Sequence, residues 1–297
     1  MEYRDNYREL LTTILDHGCA QKNERTGQEI LTLPGGWYFS APLTKGLPVI
    51  DCRFTRPKTA AAEVAWFLSG EQSTEWLNKH TGIWKAFEED IPRSGRVFIG
   101  KKNTVGRGVK AAYGHRWQHS FGINQLVVGL ENLAKDPTTR RVWISTWDPA
   151  QDLPMEGQKN TPCPVGFNLY LVGDHLFSSY VLRSSDVFMG LPYDVMNHSL
   201  LMAVFAATLS QATKKTIKPG GISFTLGHAH LYANHVEMAE ECLNQERPEQ
   251  FQPMELPDFF NVLNILEHPD NYVAYVEDAT RNKTDWPVYN PKPQLAV

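Results

Sequence analysis

Apolar and polar positions along this chain switch between a helical and a two-residue period, and the switches mark its elements. Tyr3 to His17 puts Tyr7, Leu10, Leu11, Ile14 and Leu15 on one face, which predicts a helix. Asn23 to Gly27 reads as a turn. Glu29 to Phe39 alternates around Gly35-Gly36 and predicts a hairpin or a bulged strand pair. Leu47 to Phe54 reads as a further strand. Thr59 to Ser69 is an apolar helix carrying one acid, Glu63, and Ser73 to Lys79 is a shorter helical piece. Gln125 to Lys135 predicts a helix, Val142 to Trp147 a strand and Asp148 to Asn160 a loop. Phe167 to Val172 and His175 to Leu182 read as strands paired around Gly173-Asp174. The most apolar helix spans Asp194 to Gln211, followed by a strand at Gly220 to Leu226 and a helix at Tyr232 to Asn244. Helices and strands mingle without regular β-α-β alternation, and no repeat or linker marks a boundary. The expectation is one α+β domain over residues 1–297.

Composition narrows the class. The chain of 297 residues is 42% hydrophobic and 21% charged, the balance of a soluble globular protein with a substantial core. A formal net charge of −4 gives no global pull toward nucleic acid or an anionic membrane. Cys19, Cys52, Cys163 and Cys242 lie far apart, which argues against a paired-cysteine zinc site and against a disulfide scaffold. The N-terminus has no apolar signal-peptide region and no apolar run reaches membrane-spanning length. The expected location is a reducing, intracellular compartment, the cytoplasm.

Local chemistry then stands out against this background. Ile91 to Gly114 holds Arg93, Arg96, Lys101, Lys102, Arg107 and Lys110, five glycines and no acid. It reads as a solvated loop, with a binding loop for an anion as the alternative. Cys163 lies between Pro162 and Pro164 and is either a buried, inert thiol or a nucleophile presented on a turn. A thiolate there needs cations, and Arg183 and the pair Arg140-Arg141 are candidates. Glu63 either occupies a polar stripe or is buried, with a raised pKa suited to moving protons. His228, His230 and Tyr232 fall on one side of a strand and suit a polar or sugar pocket better than a metal, so no metal is expected. Arg183 to Asp194 mixes a cation, hydroxyls and two acids with Val187, Phe188, Met189 and Leu191. That mixture suits a pocket wall, or else a strand, turn and helix start with Asp194 as the cap.

Taken together and in order, these motifs resemble the thymidylate synthase family from Glu24 to the C-terminus. The matching stretches are Glu24-Arg-Thr-Gly27, Glu63-Val-Ala-Trp-Phe-Leu-Ser-Gly70, Gly82-Ile-Trp84, Tyr113-Gly-His-Arg-Trp117, Thr139-Arg-Arg141, Pro162-Cys163, Arg183 to Tyr193, and His230-Leu-Tyr-Ala-Asn-His235. The resemblance implies a mixed sheet with surrounding helices that dimerises through the sheet. It implies that Cys163 adds to C6 of a pyrimidine nucleoside monophosphate, with 5,10-methylenetetrahydrofolate as cofactor. Arg25, Arg183 and Ser184 would hold the phosphate, with Arg140 and Arg141 reaching across from a partner subunit. His230 and Tyr232 would bind the sugar, and Asn168 stands where the family has a substrate-contacting glutamine. Trp84, Asp186, Tyr193 and Val297 would form the folate side, while Tyr113 and Glu63 would order water and move protons.

The departures from the family pattern point to a branch. The synthases carry Asn at the position of Asp194. A carboxyl there accepts from a cytosine N4 amino group and, when protonated, donates to N3. This resembles the phage-type deoxycytidylate hydroxymethylases. Pro164 replaces a histidine, His228 replaces an aspartate, and Asn160 replaces a leucine. A polar Asn160 could orient water onto the C5 methylene. The expected reaction is therefore hydroxymethylation of dCMP. The alternatives are a dCMP methylase using hydride from the folate, a dUMP enzyme, and a non-catalytic nucleotide- or RNA-binding relative. Neither nucleic acid nor membrane is expected as a partner.

Overall fold

The computed structural model describes residues 2–24, 27–92, 105–154, 160–247, 254–281 and 289–291. Helix α1 (Tyr3–His17) buries Tyr3, Tyr7, Leu10, Leu11 and Ile14, the stripe its spacing predicts. Three strands follow: β1 (Cys19–Lys22), β2 (Glu29–Thr32) and β3 (Trp37–Pro42). The expected hairpin across Gly35-Gly36 does not form. Strand β2 pairs with β1, whereas β3 pairs with a strand from the far end of the chain. Gly36 makes this possible: its φ is +71°, and a Cβ there would lie 2.2 Å from the Leu226 carbonyl oxygen.

The expected strand at Leu47 to Phe54 is also absent. Its backbone donors go to remote segments, from Leu47 N to Met254 O and from Phe54 N to Tyr289 O, each at 2.7 Å. The segment is nonetheless core. Asp51 is buried between Arg8 and Arg247, and Cys52 is joined to Cys242. The spacing argued against a disulfide scaffold, and this single bond is not one, but it departs from the expectation of a reducing compartment. Cys19 and Cys163 are not disulfide-bonded.

Helix α2 (Pro57–Ser69) starts on a proline, ends at left-handed Gly70 and is buried nearly all round, Glu63 included. Strands β4 (Glu89–Pro92) and β5 (Val105–Gly108) form an antiparallel ladder at the ends of the cationic stretch. There Arg107 pairs with Asp90 and Lys110 with Glu89, so these two cations answer acids just upstream. Arg93, Arg96, Lys101 and Lys102 lie outside the described residues. Helix α3 (Tyr113–His119) packs so closely on α2 that a Cβ on Gly114 would sit 1.8 Å from the Phe67 oxygen. Helix α4 (Gln125–Lys135) is capped by Asn124, whose side chain accepts from Val127 N.

Next come β6 (Trp143–Ser145), the short helix α5 (Pro149–Asp152) inside the expected loop, β7 (Pro164–Asn168), β8 (Tyr170–Val172) and β9 (His175–Leu182). Strands β8 and β9 turn at Gly173 as expected. After β10 (Ser185–Asp186), helix α6 (Leu191–Thr213) runs through the core. It packs on α2, α4, β9 and β11 (Lys218–Leu226). Strand β12 (Ala229–Tyr232) and helices α7 (Val236–Asn244), α8 (Val262–Glu267) and α9 (Pro269–Arg281) complete the order.

The strands form a large sheet in the order β3-β11-β9-β7-β6, with β8 on β9, and a small sheet in the order β1-β2-β12-β10. The chain passes between the two sheets four times, from β2 to β3, from β9 to β10, from β10 to β11 and from β11 to β12. Two of these crossings are tied together, because Gly227 N donates to Leu182 O at 2.7 Å. The architecture is mixed α+β, as the sequence pattern predicts.

Candidate active site

A cavity of about 550 Å³ opens where the crossings meet the start of α6. Cys163 reaches it from the lead into β7. The flanking prolines keep this segment extended, and the Cys163 carbonyl accepts from Arg183 N at 2.9 Å. Arg183 also holds the preceding residues. Its Nε donates to Pro162 O at 2.9 Å, its Nη2 donates to Thr161 Oγ1 at 2.7 Å, and its guanidinium lies 4.8 Å from the Trp147 ring centroid. Arg183, one of the candidate cations, therefore holds the turn that presents the thiol.

Two carboxyls face the same space. Glu63 is 4% exposed; Trp84 Nε1 donates to its Oε1 at 2.6 Å and Asn197 Nδ2 to its Oε2 at 3.2 Å. Burial pushes its pKa up to about 7, against the opposing pull of these two donors. Asp194 lies in the first turn of α6, where the helix dipole favours a carboxylate. Burial and the charges of Glu63 and Asp186 outweigh the dipole and hold Asp194 well above the carboxylate range. It is not the helix cap, since the helix begins at Leu191 after Gly190. Tyr113 is buried between these groups, and burial, reinforced by Cys163 and Asp194, raises its pKa and keeps the hydroxyl protonated.

The small sheet supplies the opposite wall. His230 and Tyr232 on β12 line the cavity, and His228 lies beside them with its Nδ1 3.4 Å from that of His230. Burial lowers the His230 pKa and favours the neutral ring. Asp186 Oδ1 accepts from the backbone N–H groups of Phe188 and Met189, folding the turn that leads into α6. Buried Arg53 braces this turn by donating to the Phe188 carbonyl and stacking on the Phe188 ring. Ser184, Tyr193, Trp84 and half-buried Asn160 also line the cavity.

Three expectations fall elsewhere. Arg140 and Arg141 are exposed and away from the cavity of their own chain. Asn168 is not a lining residue; its Oδ1 accepts from Ser179 N at 2.6 Å and serves the β7–β9 pairing. Arg25 and Val297 lie outside the described residues. Conversely, sequence reasoning missed Asn197, Trp147 and Asp152 in the lining. Asn197 had a usable signal, since it follows Asp194 by three positions and shares its helix face. Trp147 and Asp152 had none, because their approach depends on how the segment after β6 folds back. Among the described residues no group of His, Cys, Asp and Glu could hold a metal ion. No described helix is long and apolar enough to cross a membrane.

A thiol on a segment whose backbone Arg183 anchors, two carboxyls carried above their usual pKa and a cavity between two sheets together suit an enzyme that does covalent chemistry on a small polar substrate. The thymidylate synthase family model matches residues 5–276, and the chain belongs to that family. Membership makes it a one-carbon transferase acting at C5 of a pyrimidine nucleotide, with methylenetetrahydrofolate as the donor.

Proposed function

We propose that this protein is a deoxycytidylate hydroxymethylase, converting dCMP to 5-hydroxymethyl-dCMP. The observation that carries the reading is the Asp194 carboxyl, which lines the cavity that Cys163 enters and whose pKa is raised well above the ordinary carboxyl value, chiefly by burial. A protonated carboxyl presents one donor and one acceptor, which match N3 and the N4 amino group of cytosine. Uracil presents an N–H and a carbonyl at those places, which the carboxyl matches only with its proton on the other oxygen, so the choice of base rests on which oxygen holds the proton.

In this reading Cys163 adds its sulfur electron pair to C6, and the displaced π electrons move toward C4 and N3. The Asp194 proton stabilises the charge developing on N3, so its contribution is greatest in the transition state. The neutral Tyr113 hydroxyl and Glu63 hold and move the protons at C5. Arg183 and Ser184 bind the phosphate, joined by Arg25, and His230 and Tyr232 bind the sugar. When bound, the folate supplies a one-carbon unit at the formaldehyde oxidation level. Ile83, Trp84, Phe87, Met189 and Tyr193 form an apolar wall of the cavity that fits a flat heteroaromatic ring, beside Asp186. Asn160 orients water toward the C5 methylene carbon. The water oxygen bonds to that carbon, its proton passes to Glu63, the C5–C6 double bond re-forms, and sulfur leaves as thiolate.

A dCMP methylase is the second reading. Trp84, only 8% exposed and packed on Trp66, Phe87 and Tyr113, favours it by making that side of the cavity dry. Incubation with dCMP, CMP and dUMP plus the folate, followed by product masses and absorbance, separates the readings. Hydroxymethyl-dCMP without dihydrofolate supports the proposal. Methyl-dCMP with dihydrofolate establishes the methylase, and turnover of dUMP alone removes the cytosine assignment. No turnover of any pyrimidine nucleotide points to the non-catalytic binding protein.

The proposal includes a homodimer in which Arg140 and Arg141 complete the partner's phosphate site. Their exposure beside edge strand β6, with Trp143 44% exposed on the same strand, supports this arrangement. Mixing inactive Cys163→Ala with inactive Arg140→Ala/Arg141→Ala chains then restores activity; mixtures that stay inactive after subunit exchange refute the shared site.

A further inference from the structure

His228 lines the cavity and is half-buried, so part of its ring is open to the molecule that fills the cavity. Its contacts fix which ring nitrogen carries hydrogen. Nδ1 of His230 lies 3.3 Å from the His228 carbonyl oxygen and 3.4 Å from the His228 Nδ1. A carbonyl oxygen only accepts, so His230 carries its hydrogen on Nδ1 and shares it between these two atoms. Burial favours the neutral His230 ring, which leaves its Nε2 bare and ready to accept from a sugar hydroxyl. The His228 Nδ1 faces that N–H and is the bare nitrogen of its own ring. The His228 hydrogen therefore sits on Nε2, on the side of the ring away from His230.

The register of the small sheet says where that donor lies. Strands β10 and β12 run parallel, with Asp186 opposite His230 and Ser185 opposite Ala229. Ser185 N donates to the His228 carbonyl at 2.9 Å. One step back along both strands sets His228 beside Ser184, and Ser184 and Arg183 border the same cavity. His228 thus stands at the phosphate end, one strand step beyond the residues that hold the sugar. A phosphate oxygen is a strong acceptor, and an N–H that meets it forms a charge-assisted bond. We propose that His228 is a further phosphate ligand, donating its Nε2–H to a phosphate oxygen of the nucleoside monophosphate next to Arg183 and Ser184. The two rings then act as a pair, His230 offering an acceptor to the sugar and His228 a donor to the phosphate. This inference rests on the phosphate end at Arg183 and Ser184 and is independent of the base.

The test measures Kd by calorimetry for dCMP, and by competition for deoxycytidine, which lacks the phosphate, with the wild type, His228→Ala and His228→Gln. The alanine chain keeps the backbone carbonyl that holds the His230 Nδ1–H, so the sugar contact is preserved. It is expected to bind dCMP roughly tenfold more weakly than the wild type, the effect of one lost hydrogen bond to a charged group, and deoxycytidine within about twofold. His228→Gln, whose side-chain N–H can replace the Nε2–H, is expected to hold dCMP affinity within about threefold of the wild type. Unchanged dCMP affinity in His228→Ala, an equal loss for dCMP and deoxycytidine, or a glutamine variant as weak as the alanine one overturns the role of His228 and leaves the phosphate end standing. A wild type that binds dCMP no more tightly than deoxycytidine removes the phosphate end, and the inference with it. For an enzyme that takes dUMP, the same comparison with deoxyuridine is read in the same way. Should the alanine variant fail to fold, His228→Leu, which fills the space of the ring without a donor, is expected to show the same phosphate-dependent loss, and its absence there overturns the inference equally.

Discussion

Replacing Glu63 by glutamine removes one buried ionisable group and keeps the shape of the site. In the folded chain Glu63 titrates at about 7, against an ordinary 4.5. Between those values the folded protein holds a proton that the unfolded chain releases. Stability therefore falls as pH rises from 4.5 to about 7, and above 7 the whole cost is present. At about 1.4 kcal/mol per pH unit that cost is roughly 3 kcal/mol. Glutamine carries no charge and avoids it. Its carbonyl can accept from Trp84 Nε1, and a turned Asn197 amide can present the orphan Oδ1 to the new side-chain N–H. Both hydrogen bonds thus survive the exchange. The Asp194 carboxyl acts in the same direction, because the Glu63 charge is one of the influences raising its pKa. Urea unfolding at pH 8 is expected to show Glu63→Gln more stable than the wild type by up to about 3 kcal/mol, with the difference largely gone near pH 5. Equal stability at pH 8, or a difference that does not change with pH, would refute the assignment of a buried, proton-holding Glu63.

Three further outcomes follow from the same geometry. Asp194→Asn replaces a donor–acceptor carboxyl with an amide and should move the dCMP-to-dUMP ratio of kcat/KM toward dUMP by at least about tenfold; an unchanged ratio contradicts the base-reading role. Cys163→Ser should abolish release of C5 tritium from the labelled nucleotide while nucleotide affinity stays within about threefold, because the backbone anchorage of this residue to Arg183 is kept. Persistent tritium release would show that Cys163 is not the nucleophile. Gly114→Ala forces a methyl group into the Phe67 carbonyl at 1.8 Å and should cost more than about 2 kcal/mol in urea unfolding, since backbone rather than a flexible side chain must move. A near-neutral result would mean that α2 and α3 sit farther apart than described.

The residues that meet at the cavity were legible mostly as motifs, because each lies on a short stretch with its own local logic. The proline-flanked Cys163, the lone acid of α2, and the Arg183–Asp194 turn could each be read without a partner. Periodicity recovered α1, α4 and the β8–β9 turn, whose patterns arise within one element. What sequence reasoning missed depends on remote contacts. Strands β2 and β3 alternate like a hairpin, yet β3 pairs with residues 221 to 226, and β2 lies between β1 and residues 230 to 232. Leu47 to Phe54 is apolar like a strand, but its backbone is satisfied by segments some two hundred residues away. The joining of Cys52 to Cys242 has the same origin, since spacing of 190 residues says nothing about spatial approach. Asn197 was hidden for a different reason: an asparagine in an apolar helix matters only once Glu63 is known to face it.

The four crossings between sheets have a consequence for how such an enzyme could diversify. The thiol is anchored at the seam itself, through the Cys163 carbonyl and Arg183 N. Asp194 projects from a helix that the seam supports but does not contain. If position 194 reads the base, substrate choice and nucleophile presentation are inherited on separable parts. Aspartate and asparagine codons differ by a single nucleotide. A lineage can then sample a new pyrimidine by one mutation on the helix, with the bond-making machinery left in register throughout.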